Sequence, residues 1–192
     1  FKIVAASGAL NDGTVTPETP INCENGKWNY GYKVLHDVHG YGTIPVTEVI
    51  VKSSNIGTVK IALKMGANRF QDYVKSFGFG AQTGLDMAGE APGYTRPVAQ
   101  WSKTSPYNIP MGQEVMVTAL QMVTAMSVIA NGGNLVKPYI ISKIQDPAGV
   151  TLKDKKPIIK HRVINPETAA TMRNILTQVI ERGTGTKAKI PD

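Results

Sequence analysis

The sequence predicts an α/β fold, a helical cluster joined to an antiparallel sheet whose strands are only partly present, and three observations carry that reading. Three helix-like apolar runs, 45–52, 54–64 and 69–77, follow one another with only Ser53, Gly66 and their neighbours between them. Two strand-like runs, 139–144 and 151–152, flank Asp146-Pro147-Ala148-Gly149, a turn sequence in which the aspartate, proline and glycine each have a local reason to be there. Asn165-Pro166-Glu167 supplies a cap, an N1 proline and a first-turn acid, ahead of Met172, Ile175, Leu176, Val179 and Ile180 on one helical face.

Taken in order, residues 1–10 carry small and apolar side chains on every face, as a helix in the centre of a domain does, with Gly13 as the break. Lys2 lies in its first turn, where a lysine either snorkels to the surface or is buried with partners, in which case its pKa falls. Loops and short strands are expected over 14–43, with Val15, Ile21, Trp28, Tyr30 and Tyr32 loosely alternating. Cys23, His36, Asp37 and His39 could be drawn as a metal site, but their spacing matches no zinc pattern, and they read as loop residues beside a cleft. The run 45–52 is a short helix whose end delivers Ser53. Ile56, Val59, Lys60 and Leu63 share helical spacing over 54–64, and Asn68 is expected to cap 69–77, with Phe70, Tyr73, Val74 and Phe77 inward.

Residues 80–110 lack sustained periodicity and read as a long surface connection with Tyr94, Trp101 and Tyr107 as anchors. Met111-Gly112-Gln113-Glu114 introduces a helix over 118–131 with Leu120, Val123, Met126, Val128 and Ile129 as its apolar positions, its methionines as core filler and Gly132-Gly133 as the stop. After Arg182, Gly183-Thr184-Gly185-Thr186 reads as a helix stop and loop, and the chain closes through Ile190-Pro191-Asp192 without a further element.

The 192 residues, 42% apolar and 18% charged, describe one ordinary globular domain. A net charge of +7 invites a nucleic-acid reading, yet the basic residues are scattered and Lys153-Asp154-Lys155-Lys156 is interrupted by an acid without interleaved aromatics, so no nucleic-acid partner is expected. A single cysteine excludes an intrachain disulfide, and no apolar run reaches the length of a membrane span. The chain opens at Phe1 inside an apolar run, which reads as a piece of something longer.

Ser53-Ser54-Asn55 is the stretch around which the rest is arranged. On its own it is a helix stop and cap; held between two buried helices, its hydroxyl and amide are also fixed well enough to pass a proton and hold a substrate. The succession Phe1-Lys2-Ile3-Val4, Ser53-Ser54-Asn55-Ile56-Gly57, Gly112-Gln113 leading to Ala130-Asn131-Gly132-Gly133, and Gly183-Thr184-Gly185-Thr186 resembles the transpeptidase domain of class B penicillin-binding proteins, particularly the cell-division and sporulation group. The resemblance spans essentially the whole chain and implies the penicillin-binding-protein/serine β-lactamase-like fold, with 1–192 as the central part of one domain.

In that family the nucleophilic serine opens a Ser-x-x-Lys helix, a Ser-x-Asn turn faces it, and a Lys-Thr-Gly strand lines the third side. The resemblance makes Lys2 the lysine of the first motif, places its serine three residues earlier, upstream of Phe1, and leaves the Lys-Thr-Gly strand downstream, so the domain is expected to be incomplete at both ends. It implies catalytic roles for Lys2 as general base when neutral or electrostatic activator when charged, Ser53 as proton relay and Asn55 as substrate clamp that also helps hold Lys2, with Ser53 and Asn55 binding substrate and Ser54 structural. The implied partners are peptidoglycan stem peptides, β-lactams and cell-wall synthesis or division proteins. No cofactor or metal is implied. The implied location is the extracytoplasmic face of the bacterial membrane, with an anchor outside this stretch. A serine β-lactamase and a non-catalytic scaffold domain are the rival readings.

Overall fold

A computed structural model describes residues 1–31 and 33–190; the expectations for Tyr32, Pro191 and Asp192 lie outside the described residues. In chain order the elements are α1 (Lys2–Asn11), β1 (Pro20–Asn22), β2 (Lys27–Tyr30), β3 (Lys33–His36), β4 (Thr43–Pro45), α2 (Val46–Val51), α3 (Asn55–Met65) and α4 (Ala67–Ser76). They continue with β5 (Tyr94–Thr95), α5 (Ser105–Asn108), β6 (Val115–Met116), α6 (Ala119–Ala130), β7 (Asn134–Lys137), β8 (Lys143–Gln145), β9 (Thr151–Asp154), β10 (Ile158–Arg162) and α7 (Pro166–Arg182).

α1 is the axis of the helical cluster. Val4, Ala5, Ala6, Ser7, Gly8 and Ala9 are all buried, so no face of the helix meets water, and α2, α3, α4 and α7 surround it. Small side chains permit the close approach: a methyl group on Gly8 would stand 2.6 Å from the Tyr73 ring of α4. The far end of α1 is tied down by Asp12, whose carboxylate accepts Nε and Nη2 of Arg69, both at 2.6 Å, and the Tyr73 hydroxyl at 2.7 Å. The Arg69 hydrogen bond holds the Asp12 carboxyl below the usual carboxylate range, against burial, which acts the other way.

The inward face expected of the third helix is observed, since Phe70, Tyr73, Val74 and Phe77 are buried. Its start is not as expected. Asn68 lies inside α4, and the cap position is Gly66, which with φ 83° ends α3 and begins α4 and leaves no side chain to accept the first N–H groups. α3 buries Ile56, Gly57, Thr58, Val59, Ile61 and Ala62, while Leu63, which shares helical spacing with Ile56 and Val59, is 40% exposed. The apolar residues of α3 cover more than one face, so spacing alone could not say which of them turns outward.

The strands do not form one sheet. Among the described residues they make five two-stranded antiparallel ladders, β1–β4, β2–β3, β5–β6, β7–β10 and β8–β9. The expected pair is β8–β9, with Asp146 Oδ1 accepting the amides of Ala148 and Val150 across the turn. Residues 139–142 do not join it, and the strand begins at Lys143. β7 and β10 were not anticipated: Asn134–Lys137 and Ile158–Arg162 are short, and β10 is exposed along its length, so it lacks the alternation that marks a half-buried strand.

α6 corrects a second expectation. Val123 is 67% exposed, and Met122 and Met126 also face outward, so the methionines are not core filler. Gln121, Thr124, Ala125, Val128 and Ile129 face inward instead. Thr118 and Gln121 form a capping box, and the Gln121 amide also donates to the carbonyls of Ala81 and Pro92, both at 2.8 Å. A buried glutamine with every polar atom engaged thus fixes the rotation of a helix that is apolar all round. The same side chain pins the stretch through Ala81 and Pro92; the surface connection expected over 80–110 is interrupted by β5 and α5 and turns inward at Ser105 and Ile109, which are buried.

Candidate functional site

Ser53 owes its position to the way α2 ends. The Ser53 amide donates to Ile50 O at 3.0 Å and the Ser54 amide to Val49 O at 2.9 Å, the paired bonds of a Schellman stop. Such a stop needs a left-handed residue, usually glycine, and Ser53 fills it with φ 57°. An L-residue there is strained by about 1 kcal/mol. In return, both its carbonyl and its hydroxyl meet the Lys2 amine: Nζ donates to Ser53 Oγ at 2.9 Å and, more closely, to Ser53 O.

Lys2 and Ser53 are half-buried, so the lysine of the first helix is the buried, partnered alternative rather than a snorkelling one. Burial pushes the Lys2 amine below its usual value, and the Asp37 carboxylate holds part of that shift back. A hydroxyl hydrogen-bonded to a buried amine can accept a proton from it or return one.

Ser54 is buried and is the N-cap of α3, accepting the Gly57 amide at 2.9 Å. Its own proton goes to Asp37 Oδ2 at 2.5 Å. Asp37 Oδ1 accepts the backbone amides of Asn55 at 2.5 Å and Ile56 at 3.0 Å. The first turn of α3 therefore has two caps, one local and one from the loop after β3. Asn55 donates from Nδ2 to the His36 carbonyl at 3.0 Å, so its carboxamide is anchored to the β3 end and not to Lys2. Replacing Ser54 by Ala removes one cap and strips Asp37 Oδ2 of its donor, and is expected to lower stability by about 2 kcal/mol in chemical denaturation.

Gly57 closes the motif for a steric reason: a methyl group there would lie 2.7 Å from both γ-carbons of Val49 and 3.0 Å from Cys23 Sγ. α2 and α3 are thereby packed tightly enough to hold the 53–55 turn between them. On the outer side, Trp28, Tyr30 and Tyr107 form an aromatic group, with Tyr30 and Tyr107 stacked at 3.9 Å, against Leu35, Ile56 and Val59. Lys60 reaches over the Trp28 ring at 4.8 Å and pairs with Glu24. The β2–β3 hairpin is thus seated on the start of α3, which is what brings Asp37 to the turn.

Of the four residues that could be drawn as a metal site, Asp37 has both oxygens committed to the 54–56 turn, and Cys23 is buried, with burial pushing its thiol up. Asp37 is the site residue that sequence reasoning passed over as a loop residue. It stands 17 positions before Ser54, and no local spacing links the two. A groove of about 450 Å³, lined by residues that include Asp86, Met87, Ile141 and Lys155, shares no residue with this cleft.

The Lys2 amine on α1 and the Ser53 hydroxyl between α2 and α3 are thus in contact, with the Asn55 carboxamide two residues on. The penicillin binding protein transpeptidase domain model matches residues 1–192, and the chain belongs to that family. It is 35% identical over 198 residues to penicillin-binding protein PbpB of Mycolicibacterium smegmatis, covering 98% of this chain and 30% of that protein. To stage V sporulation protein D of Bacillus subtilis it is 37% identical over 150 residues, 78% of this chain and 23% of the relative. The crystal structure of penicillin binding protein 3 from Mycobacterium tuberculosis in complex with aztreonam superposes with a TM-score of 0.86 at 35% identity, covering 99% of this chain and 44% of that one. The chain spans less than a third of the length of these two curated relatives.

Proposed function

We propose that the protein containing this chain is a serine D,D-transpeptidase that cross-links peptidoglycan stem peptides and is acylated by β-lactams. The observation that carries the reading is the 2.9 Å contact between Lys2 Nζ and Ser53 Oγ, in a chain of this family. The nucleophile is a serine three residues before Lys2, one helical turn away on the same face. Neutral Lys2 takes the serine proton as the serine oxygen attacks the D-Ala carbonyl carbon. The resulting ammonium passes a proton through the Ser53 hydroxyl to the leaving D-Ala nitrogen, the C–N bond breaks, and an acyl ester remains. An amine of a second stem peptide then attacks that ester, with the proton path reversed.

Asn55 holds the substrate backbone in register, and backbone N–H groups of the serine and of a Lys-Thr-Gly strand outside this chain bind the oxyanion. The helical cluster supports the assignment because it fixes Lys2 and Ser53 on separate elements locked by packing. The resemblance to sporulation and cell-division relatives supports partners among cell-wall synthesis proteins. It also supports a place at the extracytoplasmic face of the membrane, anchored by a segment outside this chain. No helix among the described residues is long and apolar enough to cross a membrane.

Mass spectrometry of the intact protein mixed with a penicillin tests the reading. A one-to-one adduct that persists for many minutes is expected. No adduct would point to a scaffold domain, and an adduct that turns over within seconds to a hydrolase.

A further inference from the structure

We propose that Asp37 is the positioning residue of the Lys2–Ser53 couple, fixing the turn that presents Ser53 to the Lys2 amine. The inference rests on the transpeptidase reading above. Three donors converge on this one carboxylate from consecutive residues, the Ser54 hydroxyl and the amides of Asn55 and Ile56, each within 3.0 Å. Ser53 immediately precedes them and is held in a strained left-handed conformation, so whatever fixes residues 54–56 also fixes the direction of its carbonyl and hydroxyl. Those two oxygens are the ones that meet Lys2 Nζ.

The Asp37 carboxylate also raises the Lys2 pKa, against the larger effect of burial. Among the other ionic groups on the elements around α1, Lys60 of α3 pairs with Glu24, Arg69 of α4 with Asp12, and Glu48 of α2 with Arg182 of α7. Beyond α5, Glu114 is held by Ser105 and Asn108. A purely structural cap would serve as well uncharged. The carboxylate does more, because it opposes the loss of the Lys2 proton that burial favours and so sets the pH at which the amine becomes a base.

Asp37→Asn separates the two roles. The amide oxygen can still accept from Asn55 and Ile56, and its NH2 can donate to Ser54 Oγ, so the turn is kept while the charge is lost. The readout is the second-order rate of acylation by a fluorescent penicillin across pH, measured on the full-length protein. With the charge removed, the Lys2 pKa falls further and the acid limb moves to lower pH. At the pH where wild type reaches half its maximal rate, the variant exceeds half of its own maximum. Asp37→Glu, which restores the charge, returns the limb toward wild type.

A folded Asp37→Asn protein whose acid limb is unmoved, or moves to higher pH, overturns the proposal. If that variant does not fold, Asp37→Ser, which keeps one acceptor without charge, is put to the same test, and failure of both to fold makes Asp37 a structural residue only. A failure of the transpeptidase reading looks different: Lys2→Met would then label like wild type, whatever Asp37 does.

Discussion

Lys2→Met in the full-length protein is expected to slow acylation by a fluorescent penicillin on the order of 10³-fold, the scale of a lost general base. The thioether has nearly the volume of the lysine stem but neither accepts the serine proton nor donates to Ser53 Oγ, so the 2.9 Å contact is lost with the chemistry. The fold should not suffer. Burial lowers the folded-state pKa of Lys2, so folding disfavours its protonated form. That penalty is fully present below the folded pKa and fades as pH rises from there to the unfolded value. At neutral pH the variant should therefore melt no lower than wild type, and a large fall in melting temperature with parallel loss of labelling would mean a structural role instead.

Ser53→Gly is expected to move stability and activity in opposite directions. Glycine is the residue that a Schellman stop favours, and at φ 57° it relieves the strain of an L-side chain, so the variant should gain about 1 kcal/mol in urea unfolding. The same change deletes the hydroxyl on Lys2 and should reduce acylation roughly 10²- to 10³-fold. Ser53→Ala keeps the strain and loses the hydroxyl, so it should match the glycine variant in rate and fall below it in stability. A serine kept where glycine is more stable is a local conflict of the kind found where a side chain is needed for function. Equal stability of Ser53→Gly and wild type would remove that inference.

Much of the helical half was legible because its signals are local. Val46, Val49, Ile50 and Val51, then Phe70, Tyr73, Val74 and Phe77, mark their buried faces by spacing, and Asn165 with Pro166 marks the start of α7 by cap chemistry. What stayed hidden depended on contacts between distant residues. α6 is apolar on every side, and its rotation is set by Gln121 reaching Ala81 and Pro92, 40 and 29 positions away. β10 pairs with β7 across the β8–β9 hairpin although none of its residues is buried. Lys2 and Ser53 could be matched only through the family's motif order, since their contact spans 51 positions. Asp37 belongs to no motif, and the structure alone brings it to the turn.

The most direct test of a working Lys2–Ser53 couple is a double-mutant cycle on the acylation rate, with Lys2→Met, Ser53→Ala and the combined variant in the full-length protein. Two groups that pass one proton along one path fail together, so the double variant should be no slower than the slower single variant. Losses that multiply, each substitution slowing acylation by its full factor in the presence of the other, would show that the two side chains act independently and would contradict the relay.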